Sequence, residues 1–138
     1  MDSTFLDAHI LFSAAYRPDA HLRRLWQLPQ VELLTSTYAA EEARRNLASA
    51  EQRTALHALL VPMRIVAFSG NLDHPVFTRV MLPNKDRPIL LAAINARATH
   101  LLTGDFQHFG PYYGQTIEGV LILPAGAYIR ATAREIDG

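Results

Sequence analysis

Between Lys85 and Phe109 the sequence sets two aspartates at element boundaries, and carboxylates in such places can hold a cation. Asp86 stands just before Pro88 and a helical apolar pattern that runs to Ala96. His100–Thr103 reads as a short buried strand, and Thr103-Gly104-Asp105 turns out of it. A helix start and a strand end in adjacent elements can meet at one edge of a parallel sheet, where open α/β folds place their ligand sites. Two further acids can join them there. Asp7 follows the apolar strand Thr4–Leu6, and Glu42 lies in a helical segment after the strand Val31–Thr35. Carboxylate oxygens suit Mg²⁺ or Mn²⁺, which generate hydroxide and stabilise the leaving oxygen in phosphodiester cleavage. Without a cation the same carboxylates repel one another and their pKa values rise.

The elements that must position these acids follow from periodicity. Ala8–Tyr16 has helical spacing, and Pro18-Asp19 opens a second helical segment, His21–Leu28, stopped by Pro29. Arg23 and Arg24 are expected on its solvated side. Ser36 or Thr37 caps the helix that carries Glu41 and Glu42. At roughly 100° per residue, Ala39, Ala40, Ala43, Leu47 and Ala50 form its apolar face. Glu41 then points to solvent, free to pair with Arg45, while Glu42 sits at the border and can reach a cleft. Glu51–Val61 is a third helix, Met63–Ala67 a third strand, and Ser69–Pro83 mainly loop with room for one helical turn. A Gly/Pro/aromatic loop from Asp105 to Gly119 precedes the last strand, Val120–Leu123, and a terminal helix, Ala125–Glu135. Strands alternating with helices, without a hairpin signal, predict a parallel α/β sheet in a single domain, residues 1–138.

Composition narrows the function classes. The apolar share of 49% and mean hydropathy of +0.03 are those of an ordinary globular protein. No apolar run approaches the roughly 20 residues of a membrane-spanning helix, and no signal peptide is expected. The absence of cysteine excludes disulfides and thiolate metal sites and fits a reducing compartment, the cytoplasm. Net charge is zero. With four acids gathered round a metal, the 13 basic residues face nine remaining acids, a basic surplus suited to nucleic acid.

Each acid also has a plainer role available. Asp7 and Asp86 can cap helices, Asp105 can serve a turn after Gly104, and Glu42 can simply be solvated. A family resemblance shifts that balance. Phe5-Leu6-Asp7-Ala8-His9-Ile10-Leu11-Phe12-Ser13-Ala14-Ala15-Tyr16 resembles the opening of PIN-domain proteins. Thr35-Ser36 with Glu41-Glu42-Ala43-Arg44-Arg45-Asn46-Leu47 resembles their second acidic motif. Asp86-Arg87-Pro88-Ile89-Leu90 with Ala92-Ala93, then Leu101-Leu102-Thr103-Gly104-Asp105 and His108-Phe109, resembles the third and fourth.

The resemblance spans nearly the whole chain. It implies a three-layer α/β/α fold around a parallel sheet of about five strands. It further implies a Mg²⁺- or Mn²⁺-dependent ribonuclease of bacterial toxin–antitoxin type, with Asp7, Glu42, Asp86 and Asp105 holding metal and water as nucleophile. A small antitoxin and a homodimer are the implied partners. One position departs from the family, which usually has Asn two residues after the first aspartate; here it is His9. His9 can still support the site by a hydrogen bond to Asp7 or a phosphate, with a satisfied structural histidine as the plainer role, and Thr103 is expected to orient the site through its hydroxyl. Lys85 and Arg87, flanking Asp86, are the foremost phosphate contacts, with Arg44, Arg45 and Arg79 behind them. His108, Tyr112 and Tyr113 can stack on bases, with packing of their loop as the plainer account.

Two other functions compete. A catalytically silent PIN-like RNA-binding or assembly module would follow if His9 spoils the site. A receiver-like phospho-acceptor would need adjacent acids after the first strand and a lysine after the last, and Asp7 stands alone with no lysine after Leu123.

Overall fold

The computed structural model describes residues 1–68 and 70–137, with side chains through residue 133. Ser69, the first residue of the expected loop, lies outside the described residues. Strands β1 (Asp2–Leu6), β2 (Val31–Ser36), β3 (Arg64–Val66), β4 (His100–Leu102), β5 (Thr116–Ile117) and β6 (Val120–Leu123) form one sheet. Their order is β3-β2-β1-β4-β6-β5. Around it lie α1 (Ala8–Tyr16), α2 (Thr37–Asn46), α3 (Ala50–Leu60), α4 (Arg87–Asn95), α5 (Phe106–Phe109) and α6 (Ala125–Asp137).

Alternation along each strand explains the three layers. Phe5 pairs in register with Leu34 and Leu101, and Leu101 pairs with Ile122. All four are fully buried on the face covered by α4. Leu6, Leu33 and Leu102 turn to the other face and pack with Leu11, Leu25, Leu56 and Ile129 from the helical layer there. A sheet buried on both sides needs apolar residues at successive positions, and Phe5-Leu6, Leu33-Leu34 and Leu101-Leu102 supply them.

The helix boundaries also have local causes. Ser36 Oγ accepts from Ala39 N–H at 3.1 Å to start α2. Ser49 and Gln52 form a capping box that starts α3. The expected helix after Pro18 is a 3₁₀ segment instead, His21–Gln27, confined between two prolines where only short pieces fit. Arg23 is not simply solvated: its Nε–H donates to Ala14 O at 2.8 Å.

The sheet has six strands, one more than expected, and its edge is not parallel. β5 runs antiparallel to β6 through a two-residue turn at Glu118 and Gly119, with φ of 50° and 83°. Two positive φ values suit a turn whose twist matches the strands. Glu at the first of these positions lacks the Asn-Gly signature, so the hairpin was invisible to a turn-residue reading. Among the described residues, no helix is long and apolar enough to cross a membrane.

β1 is the pivot. β2 lies on one side of it and β4 on the other, so the connections leaving β1 and β4 diverge at their C-terminal ends. A crevice opens at such a switch point.

Candidate active site

Asp7 is the first residue past β1, and its N–H extends the ladder to Leu102 O at 3.1 Å. Its carboxylate is 7% exposed and is held at both oxygens. Oδ1 accepts from Ala8 N–H at 2.6 Å, capping α1, and Oδ2 accepts from the Thr103 hydroxyl at 2.6 Å. Burial pushes Asp7 up to about 6; the bonds from Thr103 and Ala8 oppose this, and the charges of Asp86 and Glu42 add to it.

Thr103 couples two of the acids. Its Oγ1 donates to Asp7 and accepts from Asp105 N–H at 3.1 Å, while Tyr113 OH donates to Thr103 O at 2.8 Å. Thr103→Val keeps the shape but leaves a buried carboxylate oxygen and an amide without partners. The expected loss is roughly 2–3 kcal/mol of unfolding free energy in urea titrations. A loss within about 0.5 kcal/mol, the scale of ordinary surface changes, would make the hydroxyl incidental.

Asp105 caps α5, with Oδ1 accepting from His108 N–H at 3.1 Å and Oδ2 lying 2.8 Å from His108 Nδ1. Asp86 occupies the cap position of α4 yet makes no capping bond, so helix capping does not account for it. Its Oδ2 lies 3.0 Å from the same His108 Nδ1. The ring nitrogen has hydrogen-bond geometry toward Asp105 alone, and among the described residues Asp86 Oδ2 is buried with no hydrogen bond and only the ion-pair contact to His108. Burial raises the Asp86 pKa, the Asp105 and Glu42 charges raise it further, and His108 and Lys85 oppose the shift.

Glu42 is half-buried on α2 and lines the same cleft of about 720 Å³ as Asp7, Asp86 and Asp105. The topology therefore brings all four predicted acids to one crevice. Glu41 is exposed as expected, but it pairs with Arg44 at 2.5 Å rather than with Arg45. His9 lines the cleft beside the acids rather than sitting in the core. It is exposed at the cleft, with its ring against Gly104; a Cβ at 104 would stand 2.8 Å from His9 Nδ1.

The predicted phosphate contacts divide. Among the described residues lining the cleft, Lys85 is the one basic side chain from that set. Arg44, paired with Glu41, lines a separate groove with α3 residues. Arg87 turns back toward Leu82 O and Leu72 O and stacks over Phe77, 4.5 Å from its ring centre. Arg79 pairs with Glu118 at 2.6 Å, and Arg45 is exposed away from the cleft lining. Tyr112 and Tyr113 brace their loop through Met81 N–H and Thr103 O, as the plainer account had it.

His108 is the residue whose place the sequence reading missed. Its spacing of three from Asp105 was the available signal, because a capping carboxylate and the residue three on meet at a helix start. Asp86, Asp105 and His108 offer three donor atoms within 4.8 Å of one another. This donor set, which includes a buried carboxylate oxygen without a hydrogen bond, fits a divalent cation.

Fold and cleft together define a three-layer α/β/α domain with an acidic pocket at the switch point of its sheet. No family model matches the sequence, and no curated protein matches it. Solved structures do match. VapBC2 from Rickettsia felis, bound to a DNA fragment from their promoter, superposes with a TM-score of 0.65 at 18% identity, covering 88% of this chain and 98% of that one. VapC20 from Mycobacterium tuberculosis, a sarcin–ricin loop cleaving toxin, superposes at 0.57 with 13% identity, covering 78% and 94%. At these identities the likeness is one of fold.

Proposed function

We propose that this chain is a divalent-metal-dependent endoribonuclease of the toxin type, with Asp7, Glu42, Asp86 and Asp105 as its cation-binding acids. The observation that carries this reading is the gathering of four acids at one cleft, where, among the described residues, the Asp86 oxygen is buried with no hydrogen bond and has only the contact to His108, which Asp105 shares. A buried carboxylate oxygen without a hydrogen bond, beside a second carboxylate, is costly, and a cation resolves both penalties. A bound Mg²⁺ or Mn²⁺ supplies an activated water and stabilises the oxygen that leaves the phosphate.

The chain's own residues do the positioning. Thr103 holds the Asp7 carboxylate and the Asp105 backbone in one register. Lys85 at the cleft balances a phosphate charge. Phe106, 77% exposed beside Asp105, offers a face on which an unpaired base can stack. RNA as substrate is supported by the fold shared with a toxin described as cleaving the sarcin–ricin loop, and a small antitoxin partner by the fold shared with VapBC2. A homodimer rests on the family resemblance alone, and action in the cytoplasm on that resemblance and the absence of cysteine.

Cleavage of single-stranded RNA in Mn²⁺, abolished by excess chelator and restored by added metal, is the expected result. Activity that persists in chelator sinks the metal mechanism. Native purification is expected to bring down a small partner or a dimer, and a monodisperse monomer at high concentration counts against both. His9→Asn is expected to keep or raise activity, because His9 is exposed and Asn is the residue the PIN motif usually carries there. A loss of a hundredfold or more, about 2.7 kcal/mol of transition-state stabilisation, would make His9 itself catalytic.

A further inference from the structure

We propose that His108 is itself a ligand of the cation, so that Asp86, Asp105 and His108 form a mixed carboxylate–imidazole centre favouring nitrogen-seeking ions over Mg²⁺. This deepens the metal-dependent reading above and rests on it. His108 Nδ1 stands 2.8 Å from Asp105 Oδ2 and 3.0 Å from Asp86 Oδ2. With metal–ligand bonds of about 2.1 Å, neighbouring donors on an octahedral ion are roughly 3.0 Å apart. The two carboxylate oxygens thus each already stand at the spacing of an adjacent ligand from the ring nitrogen, and all three residues offer donor atoms within 4.8 Å of one another.

The ring is held in that place. Its own backbone N–H donates to Asp105 Oδ1, and the next residue, Phe109, is fully buried in the core. A hydrogen-bonding role alone accounts for the site poorly, because the ring nitrogen has hydrogen-bond geometry toward Asp105 and leaves the nearby Asp86 Oδ2 buried without a hydrogen bond. A cation that accepts the Nδ1 lone pair and both carboxylates leaves none of the three unsatisfied. Imidazole nitrogen binds first-row transition ions well and Mg²⁺ poorly, and divalent affinity rises from Mn²⁺ to Co²⁺.

Calorimetric titration of the metal-free protein with Mg²⁺ and with Co²⁺, at one pH, reads the preference. The wild type is expected to bind Co²⁺ more tightly. In His108→Ala the Co²⁺-to-Mg²⁺ affinity ratio is expected to fall by about tenfold or more. A residue that only orients a carboxylate would weaken both ions alike, by roughly 10- to 100-fold, and leave the ratio unchanged. Pulsed EPR of the Mn²⁺-loaded wild type supplies a readout independent of any variant's folding. Nitrogen coupling to the ion is expected, retained in His9→Ala and lost in His108→Ala. A wild type without nitrogen coupling, coupling that disappears in His9→Ala instead, or an unchanged ion ratio overturns the assignment and leaves the metal-dependent reading standing. A wild type that binds none of these ions at millimolar concentration overturns both.

Discussion

Metal-free Asp86→Asn is expected to melt at or above wild type, and then to gain almost nothing from millimolar Mn²⁺. The first half follows from the charge. Asp86 ionises against burial and against Asp105, so removing its negative charge relieves both. Nothing is lost at the helix start, because Asp86 makes no capping bond there. The second half follows from linkage. An ion at 100 times its dissociation constant stabilises the folded protein by about 2.7 kcal/mol, a shift on the order of 10 °C for a chain this size. Without the Asp86 carboxylate that affinity falls and the shift falls with it. Thermal melts of the two proteins in chelator, then in Mn²⁺, measure both halves. Equal cation-induced shifts would return Asp86 to a structural role.

The parts of this molecule that were legible in its sequence are those governed by short-range pattern. Phe5-Leu6-Asp7 and Leu101-Leu102-Thr103-Gly104-Asp105 each read as strand then acid, and both strands lie in the sheet with their acids at its C-terminal edge. Glu42 rather than Glu41 was separable by helical angle alone, because the apolar face of α2 is narrow and alanine-rich. The long-range choices were not legible. Arg87 flanks Asp86 in sequence, yet α4 turns its guanidinium toward the loop at Leu72 and Leu82 rather than the cleft. Arg44 is the local exception: it pairs with Glu41 at i−3 on the same helix, an alternative to the i+4 pairing that helical spacing alone does not rank. His108 joins Asp86 across 22 positions, a meeting that depends on α4 and α5 sharing one edge of the sheet. Such pairings are decided by tertiary packing, which local pattern does not encode.

Asp7→Asn tests the other buried carboxylate through its pH dependence. In the unfolded chain Asp7 titrates near 3.8, and in the folded, metal-free protein at about 6. The folded state therefore binds this proton more tightly. The associated stability is complete below pH 3.8 and is lost as pH rises through 6. The gap corresponds to roughly 3 kcal/mol, set against wild type above pH 6 by the buried charge. Asn has no such titration, though it costs about 1 kcal/mol at every pH because Thr103 must turn its hydroxyl to meet an amide. In metal-free protein the variant is thus expected to be slightly less stable than wild type near pH 4. It should cross over within the window and be the more stable by about 2 kcal/mol at pH 7.5. Saturating Mn²⁺ at pH 7.5 should reverse that order, because the ion needs the ionised carboxylate that only wild type has. Urea titrations from pH 4 to 7.5, in chelator and in Mn²⁺, follow the difference. Parallel stability curves across that range would mean that Asp7 is not held in a proton-seeking site at all.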